Sequence, residues 1–70
     1  MSDTNERLVY MANQIARNFM ALGHDEAVRS TAEHIEQFWD PRMREQILAG
    51  DRAALSSEAA EAVELLAAKA

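Results

Sequence analysis

Seventy residues with a formal net charge of −5, no cysteine, one proline and two glycines exclude several kinds of protein at once. The length suits one domain, residues 1–70, near the size at which a single core begins to offset the entropy of ordering the chain. Missing cysteines remove disulfides, thiolate catalysis, iron–sulfur ligation and the usual zinc fingers, and the acidic balance opposes the basic footprint that a nucleic-acid partner requires.

The start, MSDTNERLVY, lacks the basic residues and apolar run of a signal peptide, and no apolar stretch reaches the length of a membrane span, so a cytoplasmic chain with no membrane partner is expected. Helix formers dominate and no useful stretch alternates with period two. The expected fold class is therefore all-α, a small bundle of about four helices over approximately 4–22, 25–39, 41–49 and 57–68.

Asp3 with Glu6 three residues on reads as a capping box for the first helix, with Thr4 as a competing N-cap. Gly23 is suited to end that helix as a left-handed C-cap. Leu8, Met11, Ala12, Ile15, Phe19 and Leu22 form its inward stripe, and Val9, Ala16 and Met20 add a second apolar strip beside it. The combined arc spans about half the circumference, wider than the roughly 100° of an ordinary surface helix. Two explanations stand: one half of the arc faces a partner, or the longest helix packs against two neighbours of its own bundle.

Asp25 is placed to cap the second helix, whose apolar positions Ala27, Val28, Thr31, Ala32, Ile35, Phe38 and Trp39 share one face at 100° per residue. The run FWDPRMR, residues 38–44, then changes element: Asp40 has an N-cap side chain, and Pro41 sits at the first helical position, where its missing N–H costs nothing. Proline also stops the preceding helix by Trp39. In the third helix Met43, Ile47 and Leu48 define the apolar arc; Arg42 projects opposite it as a solvated charge, but Arg44 falls inside it. Arg44 has three outlets, namely a stem that snorkels over the core, a pair with a carboxylate of the chain, of which Asp40 four residues earlier is one candidate, or a partner's carboxylate. Gly50 closes this helix, Asp51 to Leu55 form a tight connection, and Ser56 or Ser57 caps a last helix that buries Ala59, Val63 and Leu66 and shows Glu58, Glu61 and Glu64. The alanine-rich end has the weakest core-forming pattern.

No residue is assigned a catalytic, cofactor-binding or metal-binding role, and the chain is not expected to be an enzyme. His24 lies in a turn and His34 at the edge of a helical face; neither has a second His, a Cys or a carboxylate pair at metal-ligand spacing. The serines have no nucleophile context, and two glycines do not make a phosphate loop. The candidate contact residues for a partner are Val9, Ala16, Met20, Trp39 and Arg44.

RLVYMANQIARNF (7–19) and EAVRSTAEHIEQFWDPRMREQIL (26–48) resemble the delta subunit of NAD-dependent, molybdenum-containing formate dehydrogenases. The MANQI segment at Met11 to Ile15, AEHI at Ala32 to Ile35 and FWDPRMR at Phe38 to Arg44 carry the likeness in that order. After Gly50 the match loosens, because Ser57 follows Leu55-Ser56 where such chains often have a proline. The resemblance implies a cytoplasmic, non-catalytic accessory subunit whose partner is the large catalytic subunit of the complex. By the same resemblance the molybdenum cofactor, iron–sulfur clusters and flavin belong to partner subunits and none to this chain, whose role is assembly, stabilisation or cofactor maturation. The competing reading is an unrelated self-associating helical adaptor module.

Overall fold

A computed structural model describes residues 4–69 of the chain, so the capping box at Asp3 lies outside the described residues. The fold is all-α: α1 (Thr4–Phe19) runs into a 3₁₀ turn (Met20–Leu22), followed by α2 (His24–Phe38), α3 (Pro41–Ala49) and α4 (Ser57–Lys69).

The third helix has the expected bounds for the expected reason. Asp40, with extended backbone, accepts a hydrogen bond from the Met43 N–H at 2.9 Å, and Pro41 opens the first turn. Of the two candidate serines, Ser56 is the cap of α4: its Oγ accepts from Ala59 N–H at 3.2 Å and its carbonyl from Ala60 N–H at 2.8 Å. Two of the expected caps differ. Asp25 does not cap α2, because the helix already begins at His24; Asp25 and Glu26 instead lie in its first turn, where their charge complements the helix dipole. Gly23 is a positive-φ residue as expected, but at φ 95° and ψ 160° it is outside the left-handed helical region and links the two helical segments alone.

α2 packs against both α1 and α4. At one end of the α2–α4 pair His24 meets Glu58 and Glu61, and at the other Lys69 Nζ lies 3.5 Å from Glu36 Oε1, so the two helices run parallel. A parallel pair needs a long connection, which α3 and residues 50–56 supply. Leu8, Val9, Ala12 and Ala16 of α1, Ala32 and Ile35 of α2, Trp39, Ile47, Leu55 and Ala59, Ala62, Val63 and Leu66 of α4 form one core cluster.

Alanines at 12, 16, 27, 32, 59 and 62 are at most 2% exposed. Such small side chains let helix backbones approach closely, so the alanine-rich end is a packing seam rather than the weak end of the core. Val9 and Ala16 are buried too, so most of the wide arc of α1 packs within the same bundle, while Met20 at its end stays 45% exposed. Thr31 is fully buried, and its Oγ1 has no hydrogen-bond partner among the described residues.

The aromatic pair divides. α2 ends at Phe38; Trp39, extended at φ −87° and ψ 141°, leaves helical geometry and buries its indole. Phe38 stays 71% exposed, with its ring 4.8 Å from that of His34 one turn back. The apolar face of α2 therefore closes with Trp39 and not with Phe38.

Candidate functional site

Among the described residues several polar constellations join separate elements. At the first, Asn13 of α1 uses both ends of its amide: Nδ2 donates to the Ala54 carbonyl at 3.1 Å, and Oδ1 accepts from Ser56 N–H at 2.8 Å. One side chain thus fixes the 51–56 connection against α1, satisfying two backbone groups that no helix ladder would pair.

Arg52 makes the second. Its Nη1 donates to the carbonyls of Leu48 and Gly50 at 2.9 and 2.7 Å, and at 3.4 Å to that of Ile47, while Nε donates to Glu64 Oε2 at 2.9 Å. The guanidinium caps the open C-terminal end of α3 and ties it to α4. Arg44 does similar work at α2: Nη1 donates to the Glu36 carbonyl at 2.7 Å, in the last turn of that helix. The bond it makes is to a backbone carbonyl and not to Asp40; an arginine inside an apolar arc has reached a neighbouring helix end, where the dipole favours a cation.

His24 makes the third. Nδ1 lies 3.0 Å from Glu58 Oε2 and Nε2 lies 2.7 Å from Glu61 Oε2. Two carboxylate acceptors call for two N–H donors, which only the imidazolium supplies. Hydrogen bonds to Glu58 and then to Glu61 raise the His24 pKa above its ordinary 6.5. Glu58 is held below its ordinary value, first by a backbone hydrogen bond at the start of α4 and then by His24.

The five expected contact residues fall in different surroundings. Val9, Ala16 and Trp39 are buried in the chain's own core, Arg44 is half-buried and bonded to α2, and Met20 remains 45% exposed. Core packing uses the first three, so their side chains offer a partner almost no surface. Tyr10, Leu22 and Phe38 are more exposed apolar groups: the helical wheel left Tyr10 outside the apolar arc, and it placed Leu22 and Phe38 on inward faces, which the structure corrects, since Leu22 falls in the 3₁₀ turn and Phe38 at the last position of α2. The signal for Tyr10 was its place outside the apolar arc of α1; for Phe38 it was the proline three residues on, which ends helical geometry between the two aromatics.

Among the described residues no group of three or more His, Cys, Asp or Glu gathers to hold a metal ion, and no helix is long and apolar enough to cross a membrane. The arginine, asparagine and histidine constellations hold helices and connection together and bring no nucleophile to a base. Fold and side-chain arrangement together define a small helical bundle with interhelical polar clamps and an apolar exposed fringe.

Residues 7–63 match the profile of the NADH-dependent formate dehydrogenase delta subunit family, FdsD, and the chain belongs to that family. No curated protein and no solved structure matches it. The match includes α1 from Arg7 onward, α2, α3 and the first part of α4.

Proposed function

We propose that this chain is a non-catalytic accessory subunit of a cytoplasmic NAD-dependent formate dehydrogenase. It docks on the large catalytic subunit through exposed apolar side chains and supports assembly, stability or cofactor maturation there. Partner subunits carry the molybdenum cofactor, iron–sulfur clusters and flavin. Family membership over residues 7–63 is the observation that carries the reading. Polar clamps occupied with internal hydrogen bonds and an exposed Tyr10, Met20, Leu22 and Phe38 fit a chain that binds rather than reacts.

The test is deletion of this chain in its native host, with tagged chain restored as control. The expected outcome is less assembled complex or less molybdenum per large subunit, and retrieval of that subunit by the tag. Normal amounts of fully loaded, active complex in its absence would refute an accessory role. Formate turnover by the purified chain alone would refute a non-catalytic one.

A further inference from the structure

Along α1 and its closing turn, Glu6, Tyr10, Asn13, Arg17 and Met20 succeed one another at spacings of three and four, so they lie on one stripe. The stripe faces the 51–56 connection; the two hydrogen bonds of Asn13 join them midway and leave a hollow on either side, so that the groove between them is interrupted at its centre. On one side of that bridge is a hollow of about 450 Å³ lined by Glu6, Val9, Tyr10, Asp51 and Ala53. On the other is a hollow of about 400 Å³ lined by Gln14, Arg17, Met20, Leu55 and Glu58. Tyr10 is 65% exposed and Met20 45%, each at the side of one hollow. The far wall is built before any ligand arrives, because Asn13 and Arg52 fix the connection from both sides.

We infer that this groove docks an apolar helix of another formate dehydrogenase subunit, about three turns long, bearing Lys or Arg where it passes Glu6 and Asp51. The inference rests on the subunit reading above and adds the surface and the chemistry of its occupant. Tyr10 and Met20 are ten positions apart, and a helix rises about 1.5 Å per residue, so anchors on both span about 15 Å. That is the reach of roughly three turns laid in a groove.

Charge selects the occupant. Two carboxylates and no Lys or Arg line the Tyr10 hollow, in a chain of net charge −5. A second copy of the chain would bring the same negative excess, and Arg17, the cation lining its groove, shares the Met20 hollow with Glu58. A basic segment from a different chain is the better electrostatic complement. Interfaces of standard size take about 800 Å² from each partner. That is about a sixth of the accessible surface of 4590 Å², so the contact has to take in the rims beyond the two hollows.

The experiment places a photo-crosslinking amino acid at Tyr10, at Met20 and, as control, at exposed Arg42, in tagged chain co-purified from the native host. The expected result is adducts to another subunit from Tyr10 and Met20 but not from Arg42, mapping to a peptide that contains Lys or Arg. Alongside, Glu6→Gln, which keeps a capping-box side chain, and Tyr10→Asp, both at exposed positions, lower co-purification, the second at least tenfold, while leaving the circular dichroism spectrum unchanged; Arg42→Glu alters neither co-purification nor the spectrum. Adducts from Arg42 alone overturn the groove and leave subunit membership standing. An adduct between two copies, or with a peptide lacking basic residues, overturns the charge argument. Absence of any co-purifying subunit overturns the subunit reading and this inference with it.

Discussion

At Gly23 the chain passes from the 3₁₀ turn into α2 through one residue, at φ 95° and ψ 160°. That region is essentially closed to residues with a Cβ, although nothing lies within 4 Å of where the Cβ would be. Gly50 presents the opposite case: its φ of −80° suits any residue, but an added Cβ would meet Asn5 Oδ1 at 2.7 Å. Backbone strain has no remedy short of moving a helix, whereas at Gly50 the cost is that of shifting one side-chain tip and the interaction it makes. Gly23→Ala should therefore cost about 1–3 kcal/mol, and Gly50→Ala should cost less, because reduced chain entropy in the unfolded state offsets part of the displacement of Asn5. Urea unfolding of both variants checks this; equal losses would mean that the positive φ is not what demands glycine at the elbow.

Among the elements, α3 is the shortest helix and depends on its ends. Asp40 caps its start and Arg52 its finish, and only Arg52 also reaches α4. Arg52→Ala would leave carbonyls at Leu48 and Gly50 without this donor and Glu64 without its ion pair, a loss of about 2 kcal/mol for charge-assisted bonds. Arg52→Lys should recover little of it, since one ammonium cannot reproduce the planar fork. Arg42→Ala, at an exposed position, should stay within about 0.5 kcal/mol. Thermal unfolding of the three variants decides; full recovery by lysine would show that charge, not geometry, holds the helix end. The difference between Asp40 and Arg52 also marks what the sequence makes legible. Asp40-Pro41 and Ser56 act on backbone within three or four residues, so the bounds of α3 and the start of α4 could be read locally. Asn13 bonds residues 41 and 43 positions away, and the carboxylates of His24 come from another helix. Their only local traces are a polar residue at the edge of α1's apolar arc and two glutamates spaced by three on α4. Periodicity likewise placed Val9, Ala16 and Trp39 on apolar faces, but whether a face meets its own bundle or something else depends on how many neighbours fold against it.

For the whole molecule, the parallel alignment of α2 and α4 brings two helix N-termini, both positive dipole ends, to one end of the bundle. Asp25, Glu26 and Glu58 in the two first turns offset that charge, and Glu61 adds a fourth carboxylate. His24 enters this acidic end as the cation that joins the two helices, its ring between Glu58 and Glu61 and 42% of its side chain in water. Its pKa is raised in the fold, so its contribution is fully present below the unfolded value of 6.5 and disappears as pH rises through the higher folded value. Glu58 acts in the other direction: its pKa is lowered from 4.5, so its contribution holds above 4.5 and is lost as pH falls through the depressed value. The clasp is therefore complete from 4.5 to 6.5 and opens on the alkaline side. The wild-type melting temperature should exceed that of His24→Gln at about pH 6, and the two should converge by about pH 9, where the imidazole has lost its second N–H. Melting curves at both pH values, at low salt and again at about 1 M salt to screen the ion pairs, provide the measurement. A gap of the same size at both pH values would show that His24 holds the parallel helices by packing, with no part played by its charge.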